Sequence, residues 1–168
     1  MIAERTAQTV WEGTFAHGRG TVQATSGAFD SLPVTWAART ERPGGMTSPE
    51  ELVAAAHSSC FAMALSLRLG ERRAVPEQLV VKATVVLEEV DGVPTIVSSA
   101  LLVRGRGPDL DAAGFKSAVG EAAALCPVSR VFAGATISVT AELETARRHG
   151  IGALNTCRVR CLGQSPQH

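Results

Sequence analysis

The stretch SPEELVAAAHSSCFAMALSLRLG, residues 48–70, decides the fold because it carries the clearest helix start and stop signals in the chain. Ser48 is suited to be an N-cap, a proline follows at the first helical position, and Glu51 can complete a capping box. Gly70 is a natural C′ residue. We therefore predict a helix over residues 49–69. Its side chains are apolar or small on every face, so we expect it to be central and buried.

The sequence before this helix predicts a hairpin. Residues 8–15 and 20–25 alternate in hydrophobicity and contain β-formers, and the run between them is turn-like. Residues 32–39 are a third strand candidate, which places Arg39 at the end of a strand. The run Pro43-Gly44-Gly45 then breaks the chain.

The sequence after the helix predicts a second hairpin. Residues 78–89 alternate cleanly, and Asp91-Gly92 is a turn signal that leads into a further strand at about 94–104.

A second long helix is predicted to end just before Cys126. Asp109 or Asp111 can cap its start, and the proline after Cys126 disfavours its continuation. A short helical turn at 127–132 and a last strand at 136–143 follow. Hairpins grouped around two long helices indicate an α+β fold with antiparallel sheets, not a βαβ repeat.

Length and composition predict one domain. With 168 residues, of which 45% are hydrophobic, the chain can bury one core and is short for two. We expect a single domain over residues 1–144. Residues 145–168 form a basic tail without periodicity, predicted to be mobile and of low structural content.

Charge and hydropathy exclude several classes of partner. Sixteen basic and sixteen acidic side chains balance, which gives no electrostatic reason to bind nucleic acid or an anionic membrane. The apolar stretch 52–69 is interrupted by polar residues and is not expected to span a membrane. The N-terminus has no apolar signal segment, so we expect a cytoplasmic protein.

The four cysteines leave structural and chemical interpretations open. Because a reducing compartment disfavours structural disulfides, each thiol is free, catalytic or metal-bound. Cys60 lies in an apolar run and could be a small buried hydrophobe or a nucleophile. Cys126 could cap the following turn, whose amides would lower its pKa, or could be structural. Cys157 and Cys161 are expected to be incidental.

A nucleophilic thiol at neutral pH needs a cation nearby. Moving its pKa from about 8.5 to about 6.5 requires about 2.7 kcal/mol. Arg39 and Arg19 are the candidate cations, and Glu50 is the candidate carboxylate that orients one of them, although all three could be ordinary surface charges. Glu50 and Cys60 are separated by roughly 15 Å along one helix. If they cooperate, the carboxylate comes from a second subunit of an antiparallel dimer.

His57, three residues before Cys60, allows three interpretations. It could pair with Cys60 as a Cys-His nucleophile, or bind a metal together with Cys60 and Cys126, or be a packed and hydrogen-bonded core group. The last is the commonest situation for a histidine in a helix of small residues.

Long ordered motifs resemble the OsmC/Ohr family over about residues 8–144. They are TSPEELVAAAHSSCFAMALS (47–66), CPVS (126–129), WEG (11–13), GRGTV (18–22) and GATI (134–137). The resemblance implies an intertwined α+β homodimer with active sites at the interface. It also implies peroxidase activity on organic hydroperoxides in oxidative or osmotic stress defence.

The resemblance assigns roles to individual residues. Cys60 would be the peroxidatic cysteine, Cys126 the resolving cysteine, and Glu50 the carboxylate that orients the arginine. That arginine matches Arg39 in the OsmC-like branch, which the motifs favour, and lies nearer Arg19 in the Ohr-like branch.

The implied chemistry needs no metal and no organic cofactor. Cys60 becomes a sulfenic acid, condenses with Cys126 to a disulfide, and is reduced again by a dithiol, which the family suggests is of lipoyl type. The runner-up is a module that binds an apolar or fatty ligand and has structural cysteines.

Overall fold

The structure is a computed structural model that describes residues 2–132, 134–144 and 154–159. Within it the chain forms two units, Met1–Leu52 and Val53–His168. Among the described residues, the first unit contains a sheet of three strands and the second a sheet of four.

The sheet of the first unit begins with the predicted hairpin. β1 (Ala7–Glu12) pairs antiparallel with β2 (Arg19–Ala24), which pairs in turn with β3 (Leu32–Val34). All six residues of β1 are exposed, and they include Val10 and Trp11. The hairpin prediction is confirmed.

Helix α1 (Trp36–Thr40) replaces the second half of the predicted third strand. The Thr35 backbone is extended, and its hydroxyl accepts a hydrogen bond from the Ala38 amide at 3.0 Å. This is N-cap geometry, so the chain turns into a helix where the sequence pattern predicted a continuing strand. The prediction is wrong beyond β3, and Arg39 lies in a helical turn.

Helix α2 (Pro49–Glu71) is the predicted central helix. The Ser48 hydroxyl accepts the amide of Glu51 at 3.1 Å, as an N-cap does. The predicted stop is wrong, because the helix continues through Gly70. Its C-terminal carbonyls are satisfied in a turn that places Arg73 in the left-handed region, with a φ of 57°.

The two faces of α2 differ in burial. His57, Phe61 and Leu65 are fully buried, whereas Met63 is 67% exposed and Leu67 is 53% exposed. The prediction that α2 is buried on all sides is therefore wrong for the single chain. By length and composition alone α2 could cross a membrane, and two of its large apolar side chains, Met63 and Leu67, are exposed.

The second unit contains the predicted second hairpin, which is confirmed. β4 (Gln78–Val90) and β5 (Val93–Arg106) pair antiparallel. Asp91 and Gly92 have φ values of 53° and 79°, as a tight hairpin turn requires at both central positions.

Two helices connect β5 to the next strand. Helix α3 (Ala112–Leu125) starts at Asp111, whose carboxylate accepts the Gly114 amide, and α4 (Pro127–Val131) is a single turn. β6 (Thr136–Glu144) then pairs with β5 in parallel. The prediction of purely antiparallel sheets is wrong here, because a helical crossover returns the chain to the same end of the sheet.

A seventh strand lies in the predicted tail. β7 (Leu154–Val159) pairs antiparallel with β6, so these six residues do not have the low structural content that the sequence predicts. The remainder of the tail, including Cys161, lies outside the described residues. The single domain over residues 1–144 stays a prediction.

The core of the second unit lies between the helices and the four-stranded sheet. Its largest members come from α2, α3, β5 and β6, and include Phe61, Leu65, Leu69, Leu101, Val103, Phe115, Val119 and Val139. Cys126 belongs to this cluster, and Cys60 packs against it. The core therefore fixes the elements that carry both thiols.

Candidate active site

Cys60 and Cys126 meet although 66 residues separate them in sequence. Cys60 is half-buried in the middle of α2, and Cys126 is fully buried between α3 and α4. The Cys126 thiol donates to the Cys60 sulfur with an Sγ–Sγ distance of 3.2 Å, and both cysteines are free. A disulfide bond is about 2.05 Å long. The pair is thus a reduced dithiol that needs a movement of little more than 1 Å to close.

The first turn of α4 supplies a second contact to the same sulfur. The backbone N–H of Val128 donates to Cys60. Cys126 is the N-cap of α4, but its side chain makes no capping hydrogen bond. Of the two alternatives for Cys126, the one in which its side chain caps α4 is therefore wrong. Pro127 has no N–H, and the next backbone amide, that of Val128, contacts the Cys60 side chain of α2 and not that of Cys126.

Burial raises the pKa of the Cys60 thiol above its ordinary value. The Val128 amide counteracts part of this increase, since a donor to the sulfur favours its charged form, whereas the neighbouring Cys126 adds to it. The contacts within the second unit thus favour the protonated form of the Cys60 thiol. A further positive group nearby would favour the thiolate.

His57 is a packed, hydrogen-bonded core group. Its Nδ1 lies 2.8 Å from Ser99 Oγ, and its Nε2 lies 2.9 Å from Ser129 Oγ. The ring also stacks at a tilt on Phe132, with 5.0 Å between centroids. Burial lowers the pKa of His57, so the ring is neutral at pH 7.

These bonds decide among the alternatives for His57. Both ring nitrogens are occupied by serine hydroxyls, which leaves neither for Cys60 nor for a metal ion. Within residues 2–132, 134–144 and 154–159, no group of three or more His, Cys, Asp or Glu could hold a metal. The interpretation as a core group is the one that agrees with the geometry.

The first unit contains an ordered ion pair between Arg39 and Glu50. Arg39 Nε lies 3.1 Å from each carboxylate oxygen of Glu50, and Nη2 lies 2.6 Å from Oε1. The Glu50 side chain is only 12% exposed, and the guanidinium lies over the Trp36 ring, 5.6 Å from its centroid. The Glu50 carboxylate and the Trp36 ring together hold the guanidinium in one orientation.

Arg19 has a different environment. It is an exposed residue at the start of β2, in register with Glu12 of β1. Of the two arginines that the sequence offers, Arg39 is the one bonded to Glu50.

Sequence reasoning missed three contributors to this site. Ser99 lies within the apolar strand β5, and Ser129 follows Cys126 by three residues, but their common partner is visible only in three dimensions. The Val128 amide has no side-chain signal. The one sequence signal for the His57–Ser129 contact was a shared spacing, because His57 precedes Cys60 by three residues and Ser129 follows Cys126 by three.

A closely spaced dithiol on two helical elements of an α+β fold defines a thiol-based redox protein. The model of the OsmC-like protein family matches residues 42–142. Peroxiredoxin OsmC of Escherichia coli is 40% identical over 131 residues, which cover 78% of this chain and 91% of that protein. The chain belongs to the OsmC-like family, and it is a thiol peroxidase.

Solved structures agree with this assignment. The organic hydroperoxide resistance protein OhrB of Bacillus subtilis is 26% identical, with a TM-score of 0.63, covering 82% of this chain and 97% of that one. An OsmC-like protein of Mycoplasma pneumoniae shares the fold at 14% identity, with a TM-score of 0.68, covering 85% of this chain and 99% of that one. The family resemblance predicted from the motifs is confirmed, and the alternative of a binding module is not favoured.

Proposed function

We propose that this peroxidase reduces organic hydroperoxides to alcohols through a Cys60 sulfenic acid and a Cys60–Cys126 disulfide, as part of oxidative stress defence. The observation that carries the proposal is the 3.2 Å distance between the two sulfurs. A half-exposed thiol can meet a peroxide, and a buried thiol beside it can resolve the product before it oxidises further.

The cycle balances with three reactants. The Cys60 thiolate attacks one peroxide oxygen, the O–O bond breaks, and the alkoxide takes up a proton and leaves as the alcohol. The Cys126 sulfur then displaces hydroxide from the sulfenic acid, which forms the disulfide and releases water. An external dithiol, of lipoyl type in our proposal, restores both thiols by exchange and is itself oxidised to a disulfide.

The apolar surroundings of Cys60 support an alkyl hydroperoxide as the substrate. The neighbours of Cys60 on α2 are the buried Phe61 and Ala64 and the exposed Met63. Such a surface favours an alkyl chain over the small polar hydrogen peroxide. The Bacillus subtilis relative is named for organic hydroperoxide resistance, which agrees with this substrate class.

We assign activation of Cys60 to Arg39 of the partner subunit in a homodimer, oriented by the partner's Glu50. Because Glu50 and Cys60 are ten residues apart on one helix, roughly 15 Å along the axis, cooperation within a chain is disfavoured. An antiparallel neighbour brings the start of one helix to the middle of the other.

A second copy would also cover the open apolar face of α2. This face presents Ala55, Ala56, Ser59, Met63 and Leu67 to solvent in the single chain. Its side chains are mostly small, which lets two helices approach closely. We favour a second copy over a bilayer as the cover, because the half-buried Cys60 lies between these residues and must reach a peroxide in water. A cytoplasmic location remains part of the proposal.

Counting thiols tests the reaction. Adding tert-butyl hydroperoxide to the reduced protein is expected to remove two of its four thiols and to release one equivalent of tert-butanol. Cys60→Ser should abolish both changes, whereas Cys126→Ser should still release tert-butanol and leave a sulfenic acid that dimedone traps. Unchanged thiols in the native sequence would refute the proposal.

Mixing two inactive variants tests the shared site. A dimer with Arg39→Ala in one copy and Cys60→Ser in the other has one intact site only if Arg39 acts across the interface. Co-expressed and purified as the mixed dimer, it is expected to recover about half of the native activity, because one of two sites is restored. Inactivity of the mixed dimer would show that Arg39 and Cys60 must belong to the same chain.

A further inference from the structure

His57 is a fully buried titratable group that the proposed reaction does not use. Its two ring nitrogens bond serine hydroxyls from two different elements, Ser99 in β5 and Ser129 in α4. A neutral imidazole has one donor and one acceptor nitrogen, and a hydroxyl can serve either. The ring is thus fully satisfied, and it ties α2 to the sheet on one side and to α4 on the other.

The bond to α4 is important because α4 is too short to be stable without contacts to neighbouring elements. It has five residues, Pro127–Val131, and an isolated single helical turn is unstable in water. Its orientation therefore depends on contacts with neighbouring elements. The His57–Ser129 bond is such a contact, and it is shielded from water because Ser129 is only 9% exposed.

Two sets of contacts connect α2 to α4, and in each element they are three residues apart in sequence. His57 precedes Cys60 by three residues, and Ser129 follows Cys126 by three. One end of the junction holds the His57–Ser129 bond, and the other holds the two contacts to the Cys60 sulfur, from the Cys126 thiol and the Val128 amide. Ser129 is the residue directly after Val128. A shift of α4 at Ser129 is therefore transmitted to both groups that touch Cys60.

We propose that His57 is a positioning residue for the resolving step, and that it acts through Ser129 to hold α4 so that Cys126 stays within reach of Cys60. This inference rests on the proposed function, because it assumes that Cys126 attacks a Cys60 sulfenic acid. In that step the new S–S bond forms as the S–O bond breaks, and the Cys126 proton leaves with the hydroxyl as water. The bond to Ser99 fixes the ring against the sheet and does not reach the thiols.

The two serines provide a matched pair of variants. Ser129→Ala and Ser99→Ala each remove one hydroxyl from the same ring at nearly buried positions. A single turnover with tert-butyl hydroperoxide, quenched with acid and followed by mass spectrometry, separates sulfenic acid formation from disulfide closure. We expect Ser129→Ala to slow closure about tenfold, as the loss of one buried hydrogen bond allows. Ser99→Ala should slow it much less, and sulfenic acid should accumulate only in Ser129→Ala.

Two further variants keep the test decisive if alanine disturbs folding. Ser129→Thr retains the hydroxyl and should close at nearly the native rate. His57→Asn should close slowly, and adding Ser129→Ala to it should slow closure no further, because both changes break the same bond.

The contrary outcomes are distinct. Equal closure rates in Ser129→Ala and Ser99→Ala, slow closure in Ser129→Thr, or additive effects of His57→Asn and Ser129→Ala would each overturn the positioning role. If the native protein forms neither sulfenic acid nor disulfide, the proposed function fails, and this inference fails with it.

Discussion

The Arg39–Glu50 ion pair and the Cys60–Cys126 thiol pair are assembled in opposite ways. The charged residues are 11 apart in sequence and meet through a short helix and the first turn of α2. The thiols are 66 apart and meet because α2, α3 and the sheet share one core. The ion pair is a local product of the sequence, whereas the thiol pair depends on the packing of a whole unit. Substitutions in the two pairs should therefore affect different steps of the proposed reaction, the activation of Cys60 and the attack of Cys126 on its sulfenic acid.

The largest effect is expected from Arg39→Ala. Removing a preorganised positive group that stabilises a reacting anion, here the proposed Cys60 thiolate, lowers rates by on the order of 10²–10³. The second-order rate of Cys60 oxidation by tert-butyl hydroperoxide measures it. Arg19→Ala, a matched change at an exposed arginine of the same unit, should alter this rate by less than about threefold. Equal and mild effects of the two substitutions would refute the role of Arg39.

A smaller effect is expected from Glu50→Gln. The amide keeps an acceptor but loses the charge that holds the guanidinium in a bidentate pair, so the arginine becomes less well oriented. Charge-assisted hydrogen bonds contribute about 1.5–3 kcal/mol, and because the amide retains an acceptor we expect a loss near the low end, about tenfold in the oxidation rate. Glu51→Gln is the control, since this neighbouring carboxylate is exposed and bonds Thr47. A similar loss in Glu51→Gln would point to a general effect on the helix dipole.

The smallest effect concerns the pH dependence of stability. Burial lowers the pKa of His57, so the unfolded chain binds more protons than the folded one as the pH falls below the ordinary value of about 6.5. Stability should then decrease toward acid, by at most about 1.4 kcal/mol per pH unit for one proton, until the folded protein also binds it.

Urea unfolding of the reduced protein at several pH values from 7.5 down to 5.5 (~1 unit below the ordinary histidine pKa) measures this slope. His57→Asn should flatten it, and His17→Asn, at an exposed position of the β1–β2 turn, should not. An unchanged slope in His57→Asn would mean that other groups cause the pH dependence.

Local signals predicted much of the fold. The Ser48 cap located the start of α2, and Asp91-Gly92 located the second hairpin, because caps and tight turns are specified by a few adjacent residues. The strand over 32–39 was partly wrong because the Thr35 cap overrode a pattern that also suits a strand. The parallel register of β6 against β5 was missed, since alternation shows that a strand exists and not which way its partner runs.

Side-chain chemistry that depends on tertiary structure was less predictable. No sequence pattern indicates that Ser99 and Ser129 bond the same imidazole ring. None indicates that the Val128 amide contacts Cys60, or that the Cys126 side chain makes no capping bond to α4. The pairing of Cys60 with Cys126 came from the family resemblance, because local context left either cysteine free to be structural.

The helical crossover between β5 and β6 also sets an order of assembly. Cys60 leaves the ribosome 66 residues before Cys126, several seconds earlier at about 5–20 residues per second. Cys126 lies within the crossover, which cannot close until β6 has been made and has found β5 in parallel, a slow kind of pairing. The nascent chain therefore carries Cys60 without Cys126 beside it for longer than it takes to form α2. In the proposed mechanism a new chain gains both its resolving cysteine and its activating partner arginine only after folding and pairing, so we expect Cys60 of newly made copies to react with peroxide more slowly than that of finished ones, which mass spectrometry of pulse-labelled protein can measure.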